Sequence, residues 1–156
     1  MNSESKPVEF VSAKEEDGVS RKLLAWLNTF PDIPPYIHLD MIDYEFMGAD
    51  VPGMSLSTIQ STYILERFIH GPYIADYQFK IIYRCAPSTP DSRLSADEML
   101  DRLGDWASGE KPDIGEGLEV QELEQTTRAS LFARMNGGWE DHQIFMRMTY
   151  MVDPGK

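Results

Sequence analysis

The chain has 156 residues, of which 42% are hydrophobic and 11% aromatic, so it is not a wholly disordered protein and can form the core of one domain. Its net charge of −12, without a basic cluster, argues against specific nucleic-acid binding. No apolar run approaches the roughly 20 residues of a membrane span, the N-terminus lacks a signal-peptide core, and the single cysteine, Cys85, excludes an intrachain disulfide and suits a reducing cytoplasm.

The N-terminal third is predicted to contain a flexible segment, one helix and two strands. Residues 1–16 are polar and charged and form the predicted flexible segment, which leaves residues 17–156 as a single domain. An apolar stripe that ends before Pro31 predicts the first helix, and two β-rich stretches follow it. The predicted bounds are Ser20–Thr29 for the helix, and Ile37–Met47 and Met54–Ile59 for the strands.

A β-hairpin is predicted over Thr62–Cys85, because two β-rich runs flank the turn pair Gly71-Pro72. The second run alternates with period two between an apolar and a polar face. The predicted buried face carries Tyr77, Phe79, Ile81, Tyr83 and Cys85, and the predicted wet face carries Asp76, Gln78, Lys80 and Arg84.

The second helix is predicted to begin at Ser95, where Ser95 and Glu98 match a capping box and Leu94 and Met99 match a hydrophobic staple. Gly109 is the predicted residue just beyond its end. Three further strands are predicted, over Leu118–Gln125, Ala129–Met135 and Trp139–Val152. This order predicts an α+β domain, with a mostly antiparallel sheet and two helices packed on it.

Few residues suggest catalysis or metal binding. His38, His70 and His142 are too far apart to match a metal-ligand spacing. Glu140-Asp141-His142 lies beside a turn and is interpreted as a solvated charge cluster. Cys85 alternates with core residues, which indicates a buried, unreactive thiol, and Glu122 and Glu124 share one face of a strand, as in any E-x-E pattern. No catalytic residue, cofactor or metal site is predicted, and the chain is not expected to be an enzyme.

Negative charge is concentrated between Asp91 and Glu124, which holds 11 acids against three bases. Within it, the loop Gly109–Gly117 is flexible by composition and carries Glu110, Asp113 and Glu116. These three acids are the candidate surface residues of the chain. A protein that lets DNA pass without binding it would carry such acids, and so would a solvated outer loop.

Several segments, spread in order over about residues 20 to 152, match one family pattern. They include Tyr44-Glu45-Phe46-Met47-Gly48, Gly71-Pro72-Tyr73, Asp76 to Arg84, Leu103-Gly104-Asp105-Trp106, Leu123 to Arg128, Leu131 to Arg134, Gly138 to Asp141 and Met148-Thr149-Tyr150. In these segments the chain resembles the tail terminator family of long, non-contractile-tailed phages, which is often labelled phage minor capsid protein in prophages. None of the segments is a catalytic motif.

The resemblance implies a virion protein that assembles into a homo-oligomeric ring, expected to be a hexamer. In such a ring, Glu110, Asp113 and Glu116 are expected to line the lumen or one ring face, where their charge would keep DNA moving. The ring would cap the tail tube protein, stop tube polymerisation and meet the head connector protein, at the top of the tail in the virion and in the host cytoplasm during assembly. Two alternatives remain open: another head–tail connector or minor capsid component, and a small-molecule-binding α+β domain with an enclosed pocket.

Overall fold

The structure is a computed structural model that describes residues 7–37 and 40–154; His38 lies outside this range. Two helices pack on one face of a seven-stranded sheet, which is the predicted α+β class. In chain order the elements are α1 (Ala13–Leu27), β1 (Ile42–Tyr44), β2 (Gly53–Thr58), β3 (Tyr63–Arg67), β4 (Tyr73–Cys85), α2 (Pro90–Ala107), β5 (Leu118–Gln125), β6 (Ser130–Arg134) and β7 (Glu140–Val152).

The two longest strands, β4 and β7, pair with each other along their whole length, from Tyr73 opposite Val152 to Cys85 opposite Glu140. The outer edge of β4 is shared by β2 and β3, and the outer edge of β7 by β5 and β6. All these pairs are antiparallel, and only β1 joins β2 in parallel. The sheet is therefore mostly antiparallel, as predicted.

Helix α1 begins at Ala13, seven residues before the predicted Ser20. Ser12 caps it, because its side-chain oxygen accepts a hydrogen bond from the N–H of Glu15 at 3.1 Å. The predicted boundary at residue 16 falls inside this helix. The prediction missed the first turns because they are rich in charged residues, which are typical of a flexible segment. Two of these residues, Glu15 and Glu16, instead accept hydrogen bonds within the fold.

Helix α2 begins at Pro90 and not at Ser95, so the predicted capping box is wrong. Thr89 is the cap: its hydroxyl accepts a hydrogen bond from the N–H of Ser92 at 3.1 Å, and Pro90 occupies the first helical position, where no N–H is needed. Leu94 is 60% exposed and forms no staple. The predicted apolar stripe is nevertheless buried along Ala96, Met99, Leu100, Leu103 and Ala107, and Gly109 has the positive φ expected beyond the helix end.

The strand predictions differ most in their lengths. The first predicted strand, Ile37–Met47, is reduced to the three residues of β1, and Glu45 has a positive φ that strand geometry does not allow. Strand β5 has the predicted bounds, and β2, β4, β6 and β7 lie within one or two residues of theirs. Strand β3 ends at Arg67, although the predicted β-rich run continues to the turn at Gly71.

The core lies between the helices and the predicted apolar face of β4. Tyr77, Phe79, Ile81 and Tyr83 are buried there, and Leu103 packs in the same cluster. At the rim of this cluster Trp26 of α1 stacks on Trp106 of α2, with ring centroids 4.6 Å apart and planes inclined by 18°. The two helices thus contact each other as well as the sheet.

Candidate assembly surfaces

The face of the sheet opposite the helices, called here the open face, contains an ion pair with a buried carboxylate. Asp76, predicted to be wet, is fully buried. Its carboxylate accepts two hydrogen bonds from Arg147, at 3.1 and 3.0 Å, and one each from Tyr63 and Gln78. The prediction failed because Tyr63 and Arg147, on the two neighbouring strands, cover the carboxylate.

The triplet Glu140-Asp141-His142 is also buried, so its interpretation as a solvated cluster is wrong. Its residues are 2%, 5% and 1% exposed. They begin β7, where β4 and β6 pair on its two sides and α2 packs above. Asp141 accepts two hydrogen bonds from Arg84, at 2.7 and 2.8 Å.

On the helix face, His142 and Glu140 form a network that leaves no free nitrogen on the imidazole. The Nδ1 of His142 lies 2.8 Å from Asp97, and its Nε2 lies 3.1 Å from Glu140. Glu140 also accepts hydrogen bonds from Arg93 at 2.7 Å and Arg134 at 3.4 Å. Burial raises the pKa of Glu140, but these hydrogen bonds outweigh it and hold the pKa below its usual value. Because both ring nitrogens face carboxylates, His142 is placed to join α2 to the sheet and not to act as a general base.

Cys85 is buried as predicted. Burial, and after it the charges of Glu140, Asp141 and Asp97, raise the pKa of its thiol to about 11. A thiol with this pKa is almost entirely protonated at neutral pH and is a poor nucleophile.

An open cleft of about 600 Å³ lies beside the first half of α2. Tyr36, Tyr83, Cys85, Met99 and Trp139 are among its lining residues, and the hydroxyls of Tyr36 and Tyr83 are hydrogen-bonded to each other at 2.5 Å. The lining, as the structure describes it, does not include the Asp97–His142–Glu140 network. The buried polar groups therefore do not converge on the cleft.

The candidate acids Glu110, Asp113 and Glu116 are all exposed on the loop that connects α2 to β5. The loop is anchored at both ends, because the N–H of Gly109 donates to the carbonyl of Leu123 at 2.8 Å and that of Asp153 to the carbonyl of Gly117 at 3.0 Å. Ile114, in its middle, is 2% exposed. The three acids thus project from a fixed segment. Glu122 and Glu124, on the following strand, both belong to the open face.

A group of exposed apolar side chains surrounds the β3–β4 hairpin. This group was not predicted from the sequence, although the apolar run before Gly71 could have indicated it. The backbone of residues 9–11 bonds to β3, with the N–H of Ile64 donating to Glu9 at 2.8 Å and that of Val11 to Thr62 at 3.0 Å. The exposed fractions of the apolar side chains in this group are 62% for Val8, 60% for Phe10, 43% for Leu65, 40% for Phe68 and 98% for Ile69. Exposed apolar residues gathered at one place are typical of surfaces that contact other proteins.

Residues 7–37 and 40–154 contain neither a membrane-spanning helix nor a metal-binding cluster. Neither helix has the length and the apolar character to pass through a membrane. No three or more His, Cys, Asp and Glu side chains are grouped so as to hold a metal ion.

Comparison with known proteins finds similarity in structure but not in sequence. No protein-family model matches the chain, and no curated protein sequence matches it. Among solved structures, it is similar to a chain from the virion of a native gene transfer agent particle, with a TM-score of 0.60 and 12% sequence identity. The match covers 85% of this chain and 97% of that one. The two chains therefore share a fold over nearly their whole length.

Proposed function

We propose that this chain is a phage virion structural protein. The observation that carries the proposal is the shared fold with a chain of an assembled virion particle, which extends over almost all of both chains. The segments that resemble the tail terminator family support the same conclusion independently, because they depend on sequence and not on the fold.

Within the virion, we propose that it is the tail terminator. In this role a hexameric ring caps the tail tube, stops its polymerisation and joins the tail to the head connector. The exposed apolar residues around the β3–β4 hairpin and the edge strands β5 and β6 offer surfaces for such contacts. Six copies with a charge of −12 each would carry about −72, which would repel DNA that passes through the ring.

The proposed role is structural and not catalytic. Its support is that the polar groups best placed for chemistry are occupied by partners inside the fold: both nitrogens of His142 face carboxylates, and the Cys85 thiol is buried with a raised pKa. The alternative of a small-molecule-binding domain would use the cleft of about 600 Å³. It is less favoured because the buried polar groups lie elsewhere.

Deletion of the gene in the phage tests the proposal. A tail terminator predicts tails of uncontrolled length that do not join filled heads, and labelled protein at the top of wild-type tails by electron microscopy. Tails of normal length that fail to join would instead indicate a connector, and label on the head would indicate a minor capsid component. Normal virions that lack the protein would overturn the structural role altogether.

A further inference from the structure

The outer face of α1 carries a row of cations without ionic partners, called here the α1 stripe: Lys14, Arg21 and Lys22. All three are exposed. Among residues 7–37 and 40–154, Arg21 is the one arginine that forms no ion pair, and Lys14 and Lys22 form none either. Asp17 is also exposed on α1, so the exposed charged side chains of this helix sum to +2 in a chain of net charge −12.

The α1 stripe is also sterically open. The opposite side of α1 is buried through Val19, Ser20, Leu23 and Leu27, and Lys14 and Lys22 border an open groove next to Ile114 and Leu118. Gly18 lies between Lys14 and Lys22, and a side chain added there would meet nothing within 4 Å. A partner can therefore approach the backbone of α1 closely at this position.

A complementary row of acids lies on the edge strand β5, called here the β5 stripe: Glu119, Glu122 and Glu124. They are opposite Met151, Thr149 and Arg147 of β7 and so share the open face of the sheet, whereas Val120 and Leu123 are buried toward the helices. A bulge between Val120 and Glu122 keeps the three acids on one face. None of the three forms an ion pair within the described part of the chain.

The two stripes match in length. Lys14 and Lys22 are eight residues apart on a helix, which is about 12 Å. Glu119 pairs with Met151 and Glu124 with Arg147. These two β7 residues are four positions apart, which is about 13 Å along the strand. The two stripes form no ion pair with each other, because one lies on the outer side of α1 and the other on the open face of the sheet.

We propose that the α1 stripe of one copy docks on the β5 stripe of the next copy. This inference rests on the proposed ring. Two different surfaces of one protomer make a head-to-tail contact, and such contacts form a ring when the rotation between successive copies closes. Opposite charges at the rim of an interface fix the register of the subunits and speed their encounter. The acidic occupant of the α1 stripe is thus a second copy of this chain.

Charge reversal tests the contact. One variant carries Lys14→Glu, Arg21→Glu and Lys22→Glu, and the other carries Glu119→Lys and Glu122→Lys; Glu124 is kept because it lies opposite Arg147. Each variant alone places like charges in every contact, so we expect ring formation on tail tubes to weaken about ten-fold or more. An equimolar mixture should assemble as wild type does, because alternating copies restore opposite charges at every contact. Circular dichroism and thermal melting check that each variant folds.

The control matched to the β5 variant reverses two exposed acids of α2, Glu98→Lys and Asp105→Lys. It has the same change in net charge as that variant and should assemble normally. The inference is overturned if either reversed variant assembles alone as wild type does, or if the mixture fails. It is also overturned if wild-type protein binds DNA through the α1 stripe while the reversed variant still forms rings. Wild-type rings that do not cap tubes would overturn only the terminator role. A wild type that forms no ring, with or without tubes, would overturn both.

Discussion

Arg147 and Asp76 form an ion pair between the two central strands in which only one partner reaches solvent. Two guanidinium nitrogens bond the two carboxylate oxygens, at 3.1 and 3.0 Å. The side chain of Asp76 is fully buried, whereas that of Arg147 is 36% exposed. The buried carboxylate therefore depends on its partner more than the guanidinium does.

Replacement of Arg147 by alanine should lower the free energy of unfolding by about 3–5 kcal/mol, because it leaves a buried charge without its cation. Urea denaturation measures the loss. The control is Arg128→Ala, since Arg128 is 89% exposed in its pair with Asp101 and its loss should cost less than about 1 kcal/mol. Similar losses for the two variants would contradict the importance of the buried carboxylate.

Phe79→Ala should cost about 3–5 kcal/mol of stability, because this ring is fully buried and its removal leaves a cavity. The measurement is thermal or urea unfolding. Phe132→Ala is the comparison, since Phe132 is 44% exposed on β6 and packs beside Lys80. A Phe79 variant that melts within a degree or two of wild type would contradict a tightly packed core at this face.

The network around Glu140 predicts a specific loss of stability in acid. Because the folded state lowers the pKa of Glu140 from 4.5, its carboxylate contributes stability that is present above about pH 4.5 and lost as the pH falls through the folded-state pKa. The difference in unfolding free energy between wild type and Glu140→Gln should therefore shrink as the pH falls from about 6 to about 3. Glu98→Gln, on the exposed side of α2, should show no such change. A constant difference for Glu140→Gln would contradict the assignment.

Reversal of Glu110, Asp113 and Glu116 to lysine tests whether these acids face the passage for DNA. The fold should remain intact, because exposed loop substitutions usually cost less than about 0.5 kcal/mol. If the acids line the ring, the variant should gain salt-sensitive DNA affinity and slow DNA passage in assembled phage. Unchanged infectivity and DNA retention would show that these acids only keep the surface soluble.

Local patterns in the sequence predicted the central part of the fold and failed where a partner is distant along the chain. The alternation along β4, β5 and β7 and the apolar stripe of α2 depend on neighbours one to four residues apart, and these elements were predicted well. The burial of Asp76 depends on Arg147, 71 residues away, and that of His142 on Asp97, 45 residues away. No periodicity contains such information.

The start of α2 was missed for a different reason. Thr89 and Ser95 are both possible caps, and each is followed by a helical pattern. The choice of Thr89 depends on Pro90, which suits only the first turn of a helix. The candidate site was predicted less well than the fold: exposure of the three loop acids could be anticipated, but the α1 and β5 stripes become apparent only when the two faces of the sheet are known.

The stacked pair of Trp26 and Trp106 makes the contact between the helices visible to spectroscopy. These are two of the three tryptophans in the chain, and their indole rings lie nearly parallel at 4.6 Å. Rings at such short range couple electronically, so their circular dichroism should carry an exciton signal that vanishes when α1 leaves α2. Trp139 lies apart, beside the cleft, and its emission would report on that region separately. Separation of the two helices could thus be followed without any added label.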